Sequence, residues 1–89
     1  MSIYLGIDVG SEEHALYFLD EEKDAPVKEG TITNNSDGFK KLEDFLFELG
    51  LGKQIRIGLE ATGNYWKPLF NYLRGLEDEL DITLSLINP

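Results

Sequence analysis

Apolar residues in this chain recur at every second position, change to helical spacing, return to alternation and repeat the change once more, and that order restricts the chain to an α/β fold. Ile3, Leu5 and Ile7 alternate up to Asp8, His14 to Leu19 form a second apolar and aromatic run, and Val27 to Thr33 a third, more polar one. An acidic loop at 20–24 with Pro26 separates the second run from the third, and Asn34-Asn35 closes the third. From Ser36 the pattern is helical: Phe39, Leu42, Phe45, Leu46 and Leu49 share a face, Ser36 is the expected N-cap, and Gly50 and Gly52 supply the stop. Gln54 to Glu60 alternates again through Ile55, Ile57 and Leu59. Leu69, Leu73, Leu76 and Leu80 predict a second helix starting between Asn64 and Pro68, with Pro68 in its first turn, and Ile82, Leu84 and Leu86 predict a last strand. Short connections make the first three strands a meander, and the two helical crossovers set the fourth strand parallel to the first and the fifth beside it. The expectation is a mixed five-stranded sheet of order 3-2-1-4-5, strand 2 antiparallel, with elements βββαβαβ in a single domain over residues 1–89.

Composition narrows the chemistry. With no cysteine there is no disulfide, zinc thiolate or thiol nucleophile, so a metal must be held by oxygens. The opening residues lack a basic region and no apolar run approaches the roughly 20 residues of a bilayer span, so the expected setting is the cytoplasm with no membrane partner. Seventeen acids against eight bases leave a net charge of −9, of which −6 falls in residues 1–30 and −3 in 31–89. No basic stripe is present to neutralise phosphates, so weak or no nucleic-acid binding is expected of these residues.

Leu5-Gly6-Ile7-Asp8 and Ile57-Gly58-Leu59-Glu60 share one pattern, a glycine two residues before an acid on the face opposite the aliphatic residues. If the two strands are parallel neighbours, Asp8 and Glu60 meet at their C-terminal ends, where open α/β sheets place ligands, with space left by Gly6 and Gly58. A carboxylate pair there suits a hard divalent cation, and two-metal phosphoryl transfer uses such clusters. The same residues also read as a cap for the Asp8–Ser11 turn and a solvated strand end. In Glu60-Ala61-Thr62-Gly63-Asn64-Tyr65-Trp66, Thr62 reads either as a partner for Glu60 or a phosphate, or as a helix cap, the role also expected of Asn64. Tyr65 and Trp66 read as stacking groups or as core and interface residues. His14 is a lone histidine in an apolar run and carries no assigned role.

Gly6-Ile7-Asp8-Val9-Gly10, Gly38-Phe39 opening a helix, Gly58-Leu59-Glu60-Ala61-Thr62-Gly63-Asn64-Tyr65-Trp66 and Ile87-Asn88-Pro89 together resemble the start of a DEDD transposase of insertion-sequence family 110. The N-terminal domain of that family is RuvC-like and so ribonuclease H-like. The resemblance extends over essentially the whole chain, and Glu-Ala-Thr-Gly-x-Tyr-Trp is its most specific part. It implies that Asp8 and Glu60 are the first Asp and the Glu of a four-acid site binding Mg²⁺ or Mn²⁺ for DNA strand cleavage and transfer in transposition. Thr62 and Gly63 match the motif as supporting residues. The family's other two acids lie downstream of the Asn-Pro, and a C-terminal domain carries a nucleophilic serine, so the resemblance implies that residues 1–89 are a truncated part, inactive alone. Members also use a structured guide RNA, which is not assigned to this acidic stretch. A helix missing from the sheet would leave one face uncovered, and self-association to a homo-oligomer through that face is expected.

Two other readings compete. Gly6-Ile7-Asp8-Val9-Gly10-Ser11 also resembles the first phosphate motif of actin-like and sugar-kinase ATPases, in which the Asp holds Mg²⁺ near nucleotide phosphates and the turn offers them backbone amides. That family needs a second phosphate motif and a second domain, and Glu-Ala-Thr-Gly-Asn-Tyr-Trp does not belong to it. The third reading is a non-enzymatic acidic module, with residues 12–29, including Glu21, Glu22 and Asp24, facing a basic partner.

Overall fold

Alternation produces strands wherever one face can be buried, and in the computed structural model, which describes residues 2–22, 25–60 and 63–87, it does so five times. The elements in chain order are β1 (Ser2–Asp8), β2 (Glu13–Asp20), β3 (Ala25–Thr33), α1 (Ser36–Gly50), β4 (Gln54–Glu60), α2 (Lys67–Arg74) and β5 (Asp81–Ile87). They form one sheet of order β3-β2-β1-β4-β5. β2 runs antiparallel to β1 and β3, while β4 is parallel to β1 and to β5, as the connection lengths predicted.

The core lies on one face of this sheet. Ile3, Leu5 and Ile7 of β1, Leu16 and Phe18 of β2, and Ile55, Ile57 and Leu59 of β4 pack in one cluster with Phe39, Leu42 and Leu46 of α1 and Leu69 and Leu73 of α2. At about 2 kcal/mol for a buried large aliphatic side chain, this face supplies most of the drive to fold. The alternate residues, among them Tyr4, Gly6, Asp8, Tyr17, Arg56 and Glu60, belong to the other face, which no described helix covers.

Two helix ends differ from expectation. The N-cap of α1 is Asn35, not Ser36: its extended backbone, φ −159°, lets Oδ1 accept from the Gly38 amide at 2.9 Å, and Thr33 Oγ1 donates to the same oxygen at 2.8 Å. Asn64 does not cap α2, whose N-cap is Trp66 with no side-chain bond, while Pro68 occupies the first turn as predicted. That helix is also shorter than its leucine spacing suggests. Leu76 and Leu80 are buried, but they sit in turns at 75–80 where Leu76 and Glu77 amides bond carbonyls three residues back. Gly75 and the run Glu77-Asp78-Glu79 explain the early stop, since acids at a helix C-terminus oppose its dipole.

Candidate metal centre

β1 and β4 are in register from Ser2 against Gln54 to Ile7 against Leu59, with Gly6 opposite Gly58. One step further along each strand come Asp8 and Glu60, at the C-terminal ends of neighbouring parallel strands about 4.8 Å apart. Both side chains are exposed, on the face away from the core. They line a shallow groove of about 250 Å³ together with Tyr4, Tyr17 and Ile87, floored by Gly6 and Gly58. A larger depression of about 470 Å³ lies at the other end of the sheet, between Gly52–Gln54 and Glu79–Asp81, away from both acids.

The glycines serve a purpose the sequence did not disclose. A Cβ on Gly58 would stand 2.6 Å from Tyr4 Oη and 3.0 Å from Ile87 Cδ1, and one on Gly6 3.4 Å from Tyr4 Cε2. The space beneath the acids is therefore taken largely by the Tyr4 ring, which lies across both strands. The common glycine offset reflects packing under the site as much as room for a ligand.

Thr62 lies outside the described residues. Gly63 has φ +58°, the left-handed region where a side chain is strained, and its carbonyl accepts from Trp66 Nε1 at 3.0 Å. Trp66 also packs its ring against Phe70, 5.7 Å between centroids, so it ties the 63–66 turn to α2, whereas Tyr65 is half exposed.

His14, given no role by sequence, is completely buried. The Gly10 amide donates to its Nδ1 at 3.2 Å, and its Nε2 lies 3.0 Å from Asn34 Oδ1. The signal was present in the alternation: residues 14, 16 and 18 share the inward face of β2, so a polar side chain there needs partners. The bond also bears on the nucleotide reading, because the Gly10 amide is engaged within the protein rather than facing a phosphate.

As to donors, two carboxylates on adjacent strands fit a hard divalent cation and supply part of its set of about six oxygens. Among the described residues no group of three or more His, Cys, Asp or Glu side chains is placed to hold a metal. No helix of the described residues is long and apolar enough to cross a membrane.

Solved structures resemble this fold at low identity. The Holliday junction resolvase of fowlpox virus matches with a TM-score of 0.68 and 12% identity, over 98% of this chain and 61% of the resolvase. RuvC of Thermus thermophilus matches with a TM-score of 0.68 and 10% identity, over 98% of this chain and 64% of RuvC. A Ppx/GppA family member from Aquifex aeolicus is less similar, with a TM-score of 0.52 and 13% identity over 99% of this chain and 35% of that protein. The chain thus spans from about a third to under two thirds of the length of these proteins, and the fold is the RuvC-like, ribonuclease H-like one. No curated protein sequence matches it. A family model described as a transposase, of the DEDD type of insertion-sequence family 110, does match, over residues 5–89, and the chain belongs to that family.

Proposed function

We propose that these residues are the N-terminal part of the catalytic domain of a transposase that cleaves and transfers DNA strands, with Asp8 and Glu60 holding Mg²⁺ or Mn²⁺. The observation that carries this reading is the position of the two acids at the ends of adjacent parallel strands in a chain whose family is the DEDD transposases. A divalent cation held there supplies Lewis acidity at phosphate oxygens, where charge builds during phosphoryl transfer. The protein's part is to present two exposed carboxylate groups from a rigid sheet, at the edge where the chain leaves β1 and β4. Of the motif residues Thr62 and Gly63 assigned supporting roles, the described one, Gly63, contributes a left-handed backbone and a carbonyl bonded by Trp66.

Two carboxylates are half of the four-acid set, so residues 1–89 alone are expected to be inactive. DNA and guide RNA engage the full-length protein through surfaces other than this acidic one, and residues 1–89 by themselves form a homo-oligomer through the sheet face that no described helix covers. The setting is the cytoplasm of the cell that carries the element. The test is an NMR titration with Mn²⁺, whose paramagnetic broadening marks nearby amides. Broadening centred on residues 6–10 and 58–60 in the wild type, and lost in Asp8→Ala, is the expected result. Broadening spread over the acidic β2–β3 hairpin and unchanged by the substitution would overturn the assignment of Asp8 and Glu60.

A further inference from the structure

The only histidine of the chain is fully buried at the base of the turn that follows Asp8, and the metal reading leaves it unused. Its surroundings are specific. Nδ1 accepts a hydrogen bond from the Gly10 amide, which leaves Nε2 as the protonated nitrogen donating to Asn34 Oδ1. Burial holds its pKa below the ordinary 6.5, in keeping with a neutral ring. Asn34 then extends the chain of bonds back to the same turn: its Nδ2 donates to the Ser11 carbonyl at 3.1 Å, and its own amide donates to the Glu12 carbonyl at 2.8 Å. Gly10 leaves no room for a Cβ, which would collide with the Glu13 carbonyl, so the backbone of residues 10 and 13 closes tightly there. Phe39 stacks against the ring at 6.4 Å between centroids and 16° between planes, fixing its tilt from the side of α1.

His14 Nδ1, Asn34 Nδ2 and the Asn34 main-chain amide each bond the segment between β1 and β2, the Nε2–Oδ1 bond ties the two side chains together, and Asp8 is the residue from which that segment departs. We propose that His14, with Asn34, is the positioning residue for Asp8: it holds the 9–12 turn in one conformation so that the carboxylate is presented at the β1–β4 edge before any ligand arrives. Outer partners that orient a metal-binding group commonly matter about 10-fold or more in affinity, and here the orientation is transmitted through the backbone of residues 9 and 10. This proposal rests on the metal reading for its consequence, but the order of the turn is measurable without metal.

The experiment compares wild type with His14→Leu, His14→Gln and Asn34→Ala, using amide hydrogen exchange without metal and Mn²⁺ titration followed by NMR. Glutamine carries an acceptor and a donor that can replace both ring nitrogens, whereas leucine removes the partner of the Gly10 amide and the bond to Asn34 Oδ1. The expected result is about 10-fold faster exchange at residues 10–12 in His14→Leu and Asn34→Ala with the strand amides unaffected, and about 10-fold weaker Mn²⁺ binding, with neither loss in His14→Gln. Should His14→Leu fail to fold, Asn34→Ala carries the test, because it removes the side-chain bonds to His14 Nε2 and to the Ser11 carbonyl and leaves the imidazole in the core. Unchanged exchange and unchanged Mn²⁺ affinity in a folded variant would overturn the proposal. Equal losses in His14→Leu and His14→Gln would also overturn it, since the ring would then matter for its volume alone. Wild-type broadening away from Asp8 would overturn the metal reading instead, and turn-confined loss of protection would still support His14 as the group that sets Asp8 in place.

Discussion

At the scale of single residues, Tyr4 and Gly58 show how a carboxylate site is built from its neighbours. Tyr4 belongs to the same face of β1 as Asp8 but points its ring across to β4, and it reaches there because Gly58 has no Cβ to meet Oη. Gly58→Ala is expected to lower stability by about 1–2 kcal/mol, the usual range for adding a methyl to a filled site, by displacing the ring toward solvent. Urea unfolding of Gly58→Ala in the wild type and in a Tyr4→Ala background checks this. The cost should shrink to near zero when the ring is absent, and an equal cost in both backgrounds would remove Tyr4 from the explanation. The glycine pattern was legible as a signal in the sequence, but its cause was not, because the neighbour that needs the space lies on the same strand as one glycine and across the sheet from the other.

Among the elements, α1 and α2 are joined by more than leucines. Tyr72 Oη donates to Glu43 Oε1, Phe39 lies 5.5 Å from the Tyr72 ring, and Lys40 Nζ sits 3.3 Å from Glu43 Oε2. The bond from Tyr72 holds the Glu43 carboxyl below its ordinary range and raises the phenol of Tyr72. A carboxyl depressed in the folded state adds stability that is present above its unfolded pKa of 4.5 and is lost as pH falls through the folded value. His14 works in a different window. Its folded pKa is depressed from 6.5, so the unfolded chain binds the proton more readily, and stability declines as pH falls below about 6.5 until the folded pKa is passed. Tyr72→Phe is expected to cost about 1 kcal/mol at neutral pH and to flatten the loss below pH 4.5, leaving the decline that begins near 6.5 intact. Thermal melts from pH 3 to pH 8 check both; a Tyr72→Phe profile parallel to wild type throughout would show that the Glu43 link adds nothing. Leucine spacing alone overestimated α2, because buried leucines continue through turns once the sheet edge guides them and a helix is not needed to bury them.

For the whole molecule, charge and coverage set the behaviour. The net charge of −9 leaves no stretch able to replace counterions on a nucleic acid, so fluorescence anisotropy with duplex DNA at low salt is expected to register no saturable binding by these residues; tight, salt-sensitive binding would contradict the proposal that other parts of the protein hold the DNA. The sheet face away from the helices is mixed in character, with Tyr17 53% and Ile87 46% exposed beside Asp8, Arg56 and Glu60. Sedimentation velocity on wild type and on Tyr17→Glu checks self-association through that face, with the substitution expected to shift the population toward monomer. Much of the fold was determined by the sequence itself. Alternation against helical spacing set the identity of the elements, the lengths of the connections set the strand directions, and the acid after each glycine pattern marked Asp8 and Glu60, because periodicity and chain length are local properties. What tertiary structure decided was which polar groups satisfy one another across long separations. Asn34 on His14 and Tyr72 on Glu43 each join residues whose spacing along the chain carries no period, and the packing of Tyr4 over Gly58 does the same for shape. They meet because burying the apolar face brings their elements together, and a buried or half-buried polar atom must then find its partner there.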